Sequence, residues 1–152
     1  MIRDSVGAVE FIDLDSLLPS LIGVSRVPDG GIALWMDQNN TPEGGWGGDC
    51  DVSFDGVAAN RLLQALREAQ KIADAGPERG WEPVDPVAYS WCDQDDEPTS
   101  NTGRLGYLSL LARRGVVRIL IAPRREVEDF VFTLPAKAAN RLIELVRAAT
   151  PV

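Results

Sequence analysis

Six residues, Ala58-Ala59-Asn60-Arg61-Leu62-Leu63, return almost unchanged 80 positions later as Ala138-Ala139-Asn140-Arg141-Leu142-Ile143. An internal repeat constrains a fold strongly, because two copies of one supersecondary unit must bury matching faces. At the same offset Arg67 meets Arg147 and Ala69 meets Ala149, and Val52-Ser53-Phe54 meets Phe132-Thr133-Leu134. Ala58, Leu62, Ala65, Ala69 and Ile72 step by three and four, as do Ala138, Leu142, Leu145 and Ala149. That spacing is the apolar stripe of a helix. Asp55 is placed to cap the first helix and Pro135 to open the second. Gly76-Pro77 and Thr150-Pro151 stop them.

Alternating segments precede each helix. Leu21 to Val27, the turn Pro28-Asp29-Gly30-Gly31, and Ile32 to Asp37 read as strand, turn, strand. Leu105 to Ala112, Arg113-Arg114-Gly115 and Val116 to Ala122 read the same way. Apolar pieces at Val9 to Leu14 and Val87 to Cys92 come earlier still, with a short helix over Asp13 to Ile22 as the alternative near the first. The expected fold is α+β: antiparallel strands followed by one amphipathic helix, βββα or ββββα, as a tandem pseudo-repeat with the helices packed on the sheets. Residues 1–152 form a single domain on this reading. Its parts are a first half 1–76, a linker and first strand 77–103, and a hairpin, strand and helix 104–152. Strands Ile32 to Met36 and Val116 to Ile121 are apolar on both sides, which predicts that both of their faces are covered, by a second sheet or a second copy of the chain.

The ββββα order met twice resembles the layout of the PUR and whirly single-stranded nucleic-acid-binding proteins. The resemblance lies in element order across most of the chain and implies a surface for single strands. The charge distribution departs from it. Residues 1–102 carry six bases against nineteen acids, whereas residues 103–152 carry nine bases against four acids. Asymmetry of this kind marks either an internal pairing of the two parts or a surface for a charged partner.

Several chemistries are excluded outright. The chain has no histidine, which removes imidazole acid–base catalysis, Ser-His-Asp and Cys-His nucleophiles, and the HExxH motif. Cys50 and Cys92, the two cysteines, cannot make a four-ligand zinc site and are expected to be reduced. The acidic run Asp93-Gln94-Asp95-Asp96-Glu97 has Pro98 and Arg104 where a calcium loop needs glycine and glutamate. The glycine-rich stretch 42–49 lacks the Gly-Lys-Ser/Thr of a phosphate loop and is flanked by Glu43, Asp49 and Asp51. Neither metal nor cofactor is expected. Leu105 to Ala122 carries three arginines, so no membrane span is expected, and Met1-Ile2-Arg3-Asp4 does not open a signal peptide. The chain reads as an acidic, cytoplasmic, non-enzymatic protein.

Binding is the remaining function class. Trp46 stands between glycines with Glu43 and Asp49 nearby, the pattern of an aromatic anchor in an acidic loop. Trp35 is expected in the core, Trp81 over the junction of the halves, and Trp91 in either role. These residues point to a protein partner, with the chain as an inhibitor, immunity or adaptor protein, alone or as a homodimer. The alternative is single-stranded nucleic acid bound through segment 104–125, using Arg113, Arg114, Arg118, Arg124 and Arg125 with Tyr107 for stacking. Asp49 and Asp51, two apart on one strand, are the pair that a carboxylate enzyme would use.

Overall fold

A computed structural model describes residues 4–28, 30–38, 48–93, 104–122 and 130–150; for 48–49, 89–93, 104 and 130 it describes the backbone alone. The elements run β1 (Asp4–Ile12), β2 (Pro19–Arg26), β3 (Ile32–Gln38), β4 (Gly48–Phe54), α1 (Gly56–Ala75), β5 (Arg79–Trp81), β6 (Val87–Asp93), β7 (Arg104–Arg113), β8 (Val116–Ala122), β9 (Phe130–Pro135) and α2 (Ala136–Ala149). The fold is mixed α+β, an antiparallel sheet with two helices. Strand order is β1-β2-β3-β4-β6-β7-β8-β9, and the short β5 pairs with the far end of β7.

The alternation that marks each strand is also what builds the core. Ile22 and Val24 on β2, Leu34 and Met36 on β3, Cys50, Val52 and Phe54 on β4, Leu108 and Leu110 on β7, Ile119 and Ile121 on β8, and Phe132 and Leu134 on β9 are all buried. They join Leu62, Leu66, Leu142 and Val146 of the helices in one cluster. Each such side chain contributes about 1.5–3 kcal/mol by leaving water.

The helix boundaries follow the expected signals. The Asp55 carboxylate accepts from the Ala58 N–H at 2.8 Å, and Gly76, at φ 48°, closes α1. Pro135 is the residue before α2 rather than its first helical residue. The chain enters α1 through a tight corner: a Cβ on Gly31 would lie 2.0 Å from the Phe54 carbonyl oxygen, so only glycine fits there.

Two sequence expectations change. Asp13 to Ile22 is a turn followed by β2, not a short helix. The 80-residue offset does not extend along each whole half. The helices begin 80 apart, at Gly56 and Ala136, while β3 and β8 begin 84 apart, at Ile32 and Val116.

The helices tie opposite parts of the chain together. The Gly115 N–H, in the β7–β8 turn, donates to the Ala73 carbonyl near the end of α1 at 2.8 Å. Arg26, at the end of β2, donates to the Ala148 carbonyl of α2 at 3.0 Å. Gly7 of β1 lies so close to α2 that a Cβ there would be 2.8 Å from a Leu145 methyl carbon. Gln70 of α1 donates to Asn140 of α2.

The sheet ends in β1 and β9, and one buried carboxylate joins them. Asp13 is 1% exposed. Its Oδ1 accepts from the Thr133 N–H of β9 at 2.6 Å and from Gln38 Nε2 of β3 at 3.3 Å. Its Oδ2 accepts from the N–H groups of Asp15 and Ser16, at 3.1 and 2.8 Å, and from the Ser16 hydroxyl at 3.0 Å. Leu14 N–H then donates to the Thr133 carbonyl at 3.0 Å, and Gln38 also reaches the Val131 carbonyl at 3.1 Å. The outer edge of β9 is therefore covered by side chains and one turn amide instead of a neighbouring strand, which satisfies groups that would otherwise template aggregation.

An asparagine at position 13 keeps the shape but turns an –NH2 toward these N–H and O–H donors. Asp13→Asn is expected to lower unfolding free energy by about 2–3 kcal/mol, read as a fall in the urea midpoint at unchanged slope. A change below about 0.5 kcal/mol would contradict the role given to this carboxylate.

Candidate functional site

The antiparallel order gathers the strand ends. Ile12 and Pro19, Gln38 and Gly48, Asp93 and Arg104, and Ala122 and Phe130 all lie at one end of the sheet. Of the connections between them, the described one is the turn 13–18. Segments 39–47, 94–103 and 123–129 also leave and rejoin the sheet at this end and are outside the described residues.

The turn 13–18 is built around Asp13 and presents apolar side chains to water. Asp13 N–H donates to the Leu18 carbonyl at 3.0 Å, and Leu17 N–H to the Asp13 carbonyl at 2.9 Å. Leu17 has φ 62° and is 72% exposed, while Ile12 and Leu14 are 53% and 42% exposed. The left-handed conformation costs a residue with a Cβ about 1 kcal/mol, and glycine or asparagine would relieve it. A leucine held there and left in water gains nothing for the fold that would explain its presence.

Beside this turn lies the sheet face that carries no helix. The register sets Glu10 of β1 opposite Leu21 of β2, Leu21 opposite Asp37 of β3, and Asp37 opposite Asp49 of β4. Glu10, Phe11, Ile12, Pro19, Ser20, Leu21 and Asp37 line a hollow of about 420 Å³. The next row contains Gly23, Trp35 and Asp51. A Cβ on Gly23 would lie 3.8 Å from Trp35 Cε3, so the indole rests across the glycine. Trp35 is 42% exposed, which corrects its expected place in the core. In β3, Leu34 and Met36 take the helix-covered side and the residue between them falls on the other. Within one chain, no second sheet covers that face of β3 at Trp35, although Ala33 is buried.

The sequence candidates fall in several places. Trp46 and Glu43 lie outside the described residues, as do Arg124 and Arg125 and the acidic run beyond Asp93. Asp49 belongs to β4, in register with Asp37, and Asp51 is half-buried one row away. Cys50 is buried and Cys92 stands opposite Asp49, while Trp91 stands opposite Cys50. Trp81 packs half-buried against the core, with the Arg79 guanidinium 4.3 Å from its ring centre.

The arginines of the second part are not brought together. Arg113 and Arg114 are exposed at the β7–β8 turn. Arg104 opens β7 nine residues earlier, roughly 30 Å away along the strand. Arg118, half-buried on β8, lines a hollow with Glu82, Ser109, Leu111 and Leu120, and Tyr107 shares its helix-free face, whereas Trp81, opposite Leu110, belongs to the helix-covered side. Neither Arg113 nor Arg114 forms an ion pair among the described residues.

Sequence reasoning missed Asp13, Leu17, Glu10 and Asp37. For Asp13 the signal was available in Asp13-Leu14-Asp15-Ser16, a side chain followed by backbone donors two and three residues on. Among the described residues no group of three or more His, Cys, Asp or Glu could hold a metal ion, and no helix is long and apolar enough to cross a membrane. No family model, curated protein or solved structure matches the chain.

Because Leu17 is strained and exposed, Leu17→Gly is expected to leave stability unchanged or raise it by up to about 1 kcal/mol in thermal or urea unfolding. A loss above about 1 kcal/mol would mean that this side chain is needed for folding.

Proposed function

We propose that the chain acts by binding another protein, without catalysis, as an inhibitor, immunity or adaptor protein. One observation carries this reading: Ile12, Leu14 and the strained Leu17 are held exposed by a buried hydrogen-bond network. Exposed apolar clusters with polar rims mark docking surfaces. Segment 39–47, with Trp46 and Glu43, joins strands at the same end of the sheet, and Asp49 continues the acidic row. The reading keeps Trp46, which lies outside the described residues, as an aromatic anchor. It places the protein in the cytoplasm and treats the two strand-and-helix runs as a tandem repeat.

Single-stranded nucleic acid is the second reading. Tyr107, Ser109 and Arg118 share the helix-free face, which is the side on which bases would stack. The carboxylates on the same sheet face at β1 and β3, and the separation of the arginines, favour protein.

The two are separated by one set of variants. A partner captured by the wild-type chain is expected to be lost with Leu14→Asp/Leu17→Asp, weakened by at least about tenfold with Trp46→Ala, and retained with Arg113→Ala/Arg114→Ala. Anisotropy titration of a labelled single strand is expected to show no binding at low salt. Salt-sensitive binding that the arginine variant abolishes would overturn the protein reading.

A further inference from the structure

Resting on the protein-binding reading, the geometry points to how the partner is held: we infer that an extended segment of the partner pairs with the open edge of β1, as a further strand between β1 and α2, with an acidic side chain toward Lys137. A trough of about 570 Å³ is lined by the consecutive residues from Ala8 to Ile12 along one wall and by Lys137, Ala138 and Arg141 of α2 along the other. Consecutive strand residues point to the two faces of a sheet in turn. A trough that touches every one of them therefore runs along the edge of the strand. β2 occupies the other edge of β1, and among the described residues no strand follows on this one.

The hydrogen-bond pattern identifies the open groups. Asp13 N–H donates to the Leu18 carbonyl across the β1–β2 turn, and an antiparallel ladder bonds every second residue to its neighbour. Counted back along the regular register, Phe11 and Val9 turn their N–H and C=O toward β2, and Ile12, Glu10 and Ala8 turn theirs outward. Ile12 stands opposite Pro19, which has no N–H to give it. Leu14 has the same outward phase, and its N–H reaches the Thr133 carbonyl of β9. β9 then ends at Pro135 and the chain turns into α2. The place a longer β9 would fill beside Ile12, Glu10 and Ala8 is the trough, and their outward groups have no hydrogen-bond partner among the described residues. The edge of β9 is closed by Asp13 and Gln38; this edge of β1 is not. An extended backbone supplies donors and acceptors at the repeat such an edge requires.

Charge decides the side chain. Val9 and Phe11 are buried on the helix side of β1, whereas Glu10 stands in register with Leu21 on the helix-free face. A residue of the added strand that points toward α2 therefore turns away from Glu10, although both border the trough. Arg141 is paired with Glu144 at 3.1 Å. Lys137 is exposed and forms no ion pair among the described residues. An acidic residue on the helix side is complementary to it, with apolar residues two positions either way against the wall of Phe11 and Ala138. Leu14 also lines the trough, so a segment leaving it passes over the exposed apolar turn.

The test titrates the capped peptide Val-Thr-Glu-Thr-Val into the full chain and follows amide NMR shifts and hydrogen exchange. The expected result is saturable shifts at Ala8, Glu10, Ile12 and Lys137, with exchange slowed at the first three. N-methylation of the two threonines, whose N–H groups face β1 in this register, is expected to abolish binding. N-methylation of the central glutamate, whose N–H faces away, is expected to keep it. Replacing that glutamate by glutamine is expected to weaken binding about threefold, the worth of a cross-strand charge pair, and Lys137→Glu to remove this preference. Glu10→Pro deletes an outward N–H at an edge position where proline is tolerated, and is expected to abolish binding; Lys137→Glu keeps the test open if that variant does not fold. Equal binding of the threonine-methylated peptide, shifts away from β1, or a preference for glutamate unchanged in Lys137→Glu would overturn the inference. So would a dimer of the chain that Glu10→Pro dissociates, which would give the edge to a second copy. If any of these occurs while partner capture still depends on Leu14 and Leu17, the strand addition is wrong and the protein-binding reading stands.

Discussion

Asp13 is the contact on which the ends of this sheet depend. A buried carboxyl group is costly unless its acceptor sites are filled; here five donors fill them, from the turn itself, from β3 and from β9. The turn after β1 is thereby held against β9, at the opposite end of the strand order. The cost of burying Asp13 is offset by groups that would otherwise lack partners, since Thr133 N–H is itself fully buried. The Thr133 hydroxyl adds a bond to Asp15 at 2.8 Å, so the same two segments are tied twice.

The helices make the connection mutual. The end of α1 is held by the β7–β8 turn and the end of α2 by Arg26 of β2. One core runs through both halves, so neither is expected to keep its helix packed alone. A consequence for function is rigidity at the end where Ile12, Leu14 and Leu17 emerge. For the proposed binding role this matters because a surface held by a buried network loses little entropy when it is covered.

Much of this was legible in the residues. Helix faces, the Asp55 cap, the Gly76 stop and both hairpins follow from period and turn chemistry, because local sequence dictates them. The repeat located both helices, but its offset drifted in the hairpins, where loop length is free to change. Trp35 was misplaced because an apolar residue between Leu34 and Met36 reads as core on either face, and which face the helices cover is a tertiary fact. The Asp13 network joins residues 120 apart in sequence, and the Glu10–Leu21–Asp37 row exists only once the register is known. The candidate loop with Trp46 was chosen by composition; the structure contributes the sheet end at which it begins and returns.

The central claim is that one buried carboxylate locks the turn after β1 to β9 and so holds the exposed leucines in place. Native-state hydrogen exchange at the Thr133 amide tests it most directly. Thr133 is on an edge strand, where an amide without a strand partner exchanges through small local openings. The account predicts protection close to that of the global unfolding free energy, lost selectively in Asp13→Asn. Rapid exchange in the wild-type chain, at a rate typical of a frayed edge, would contradict it.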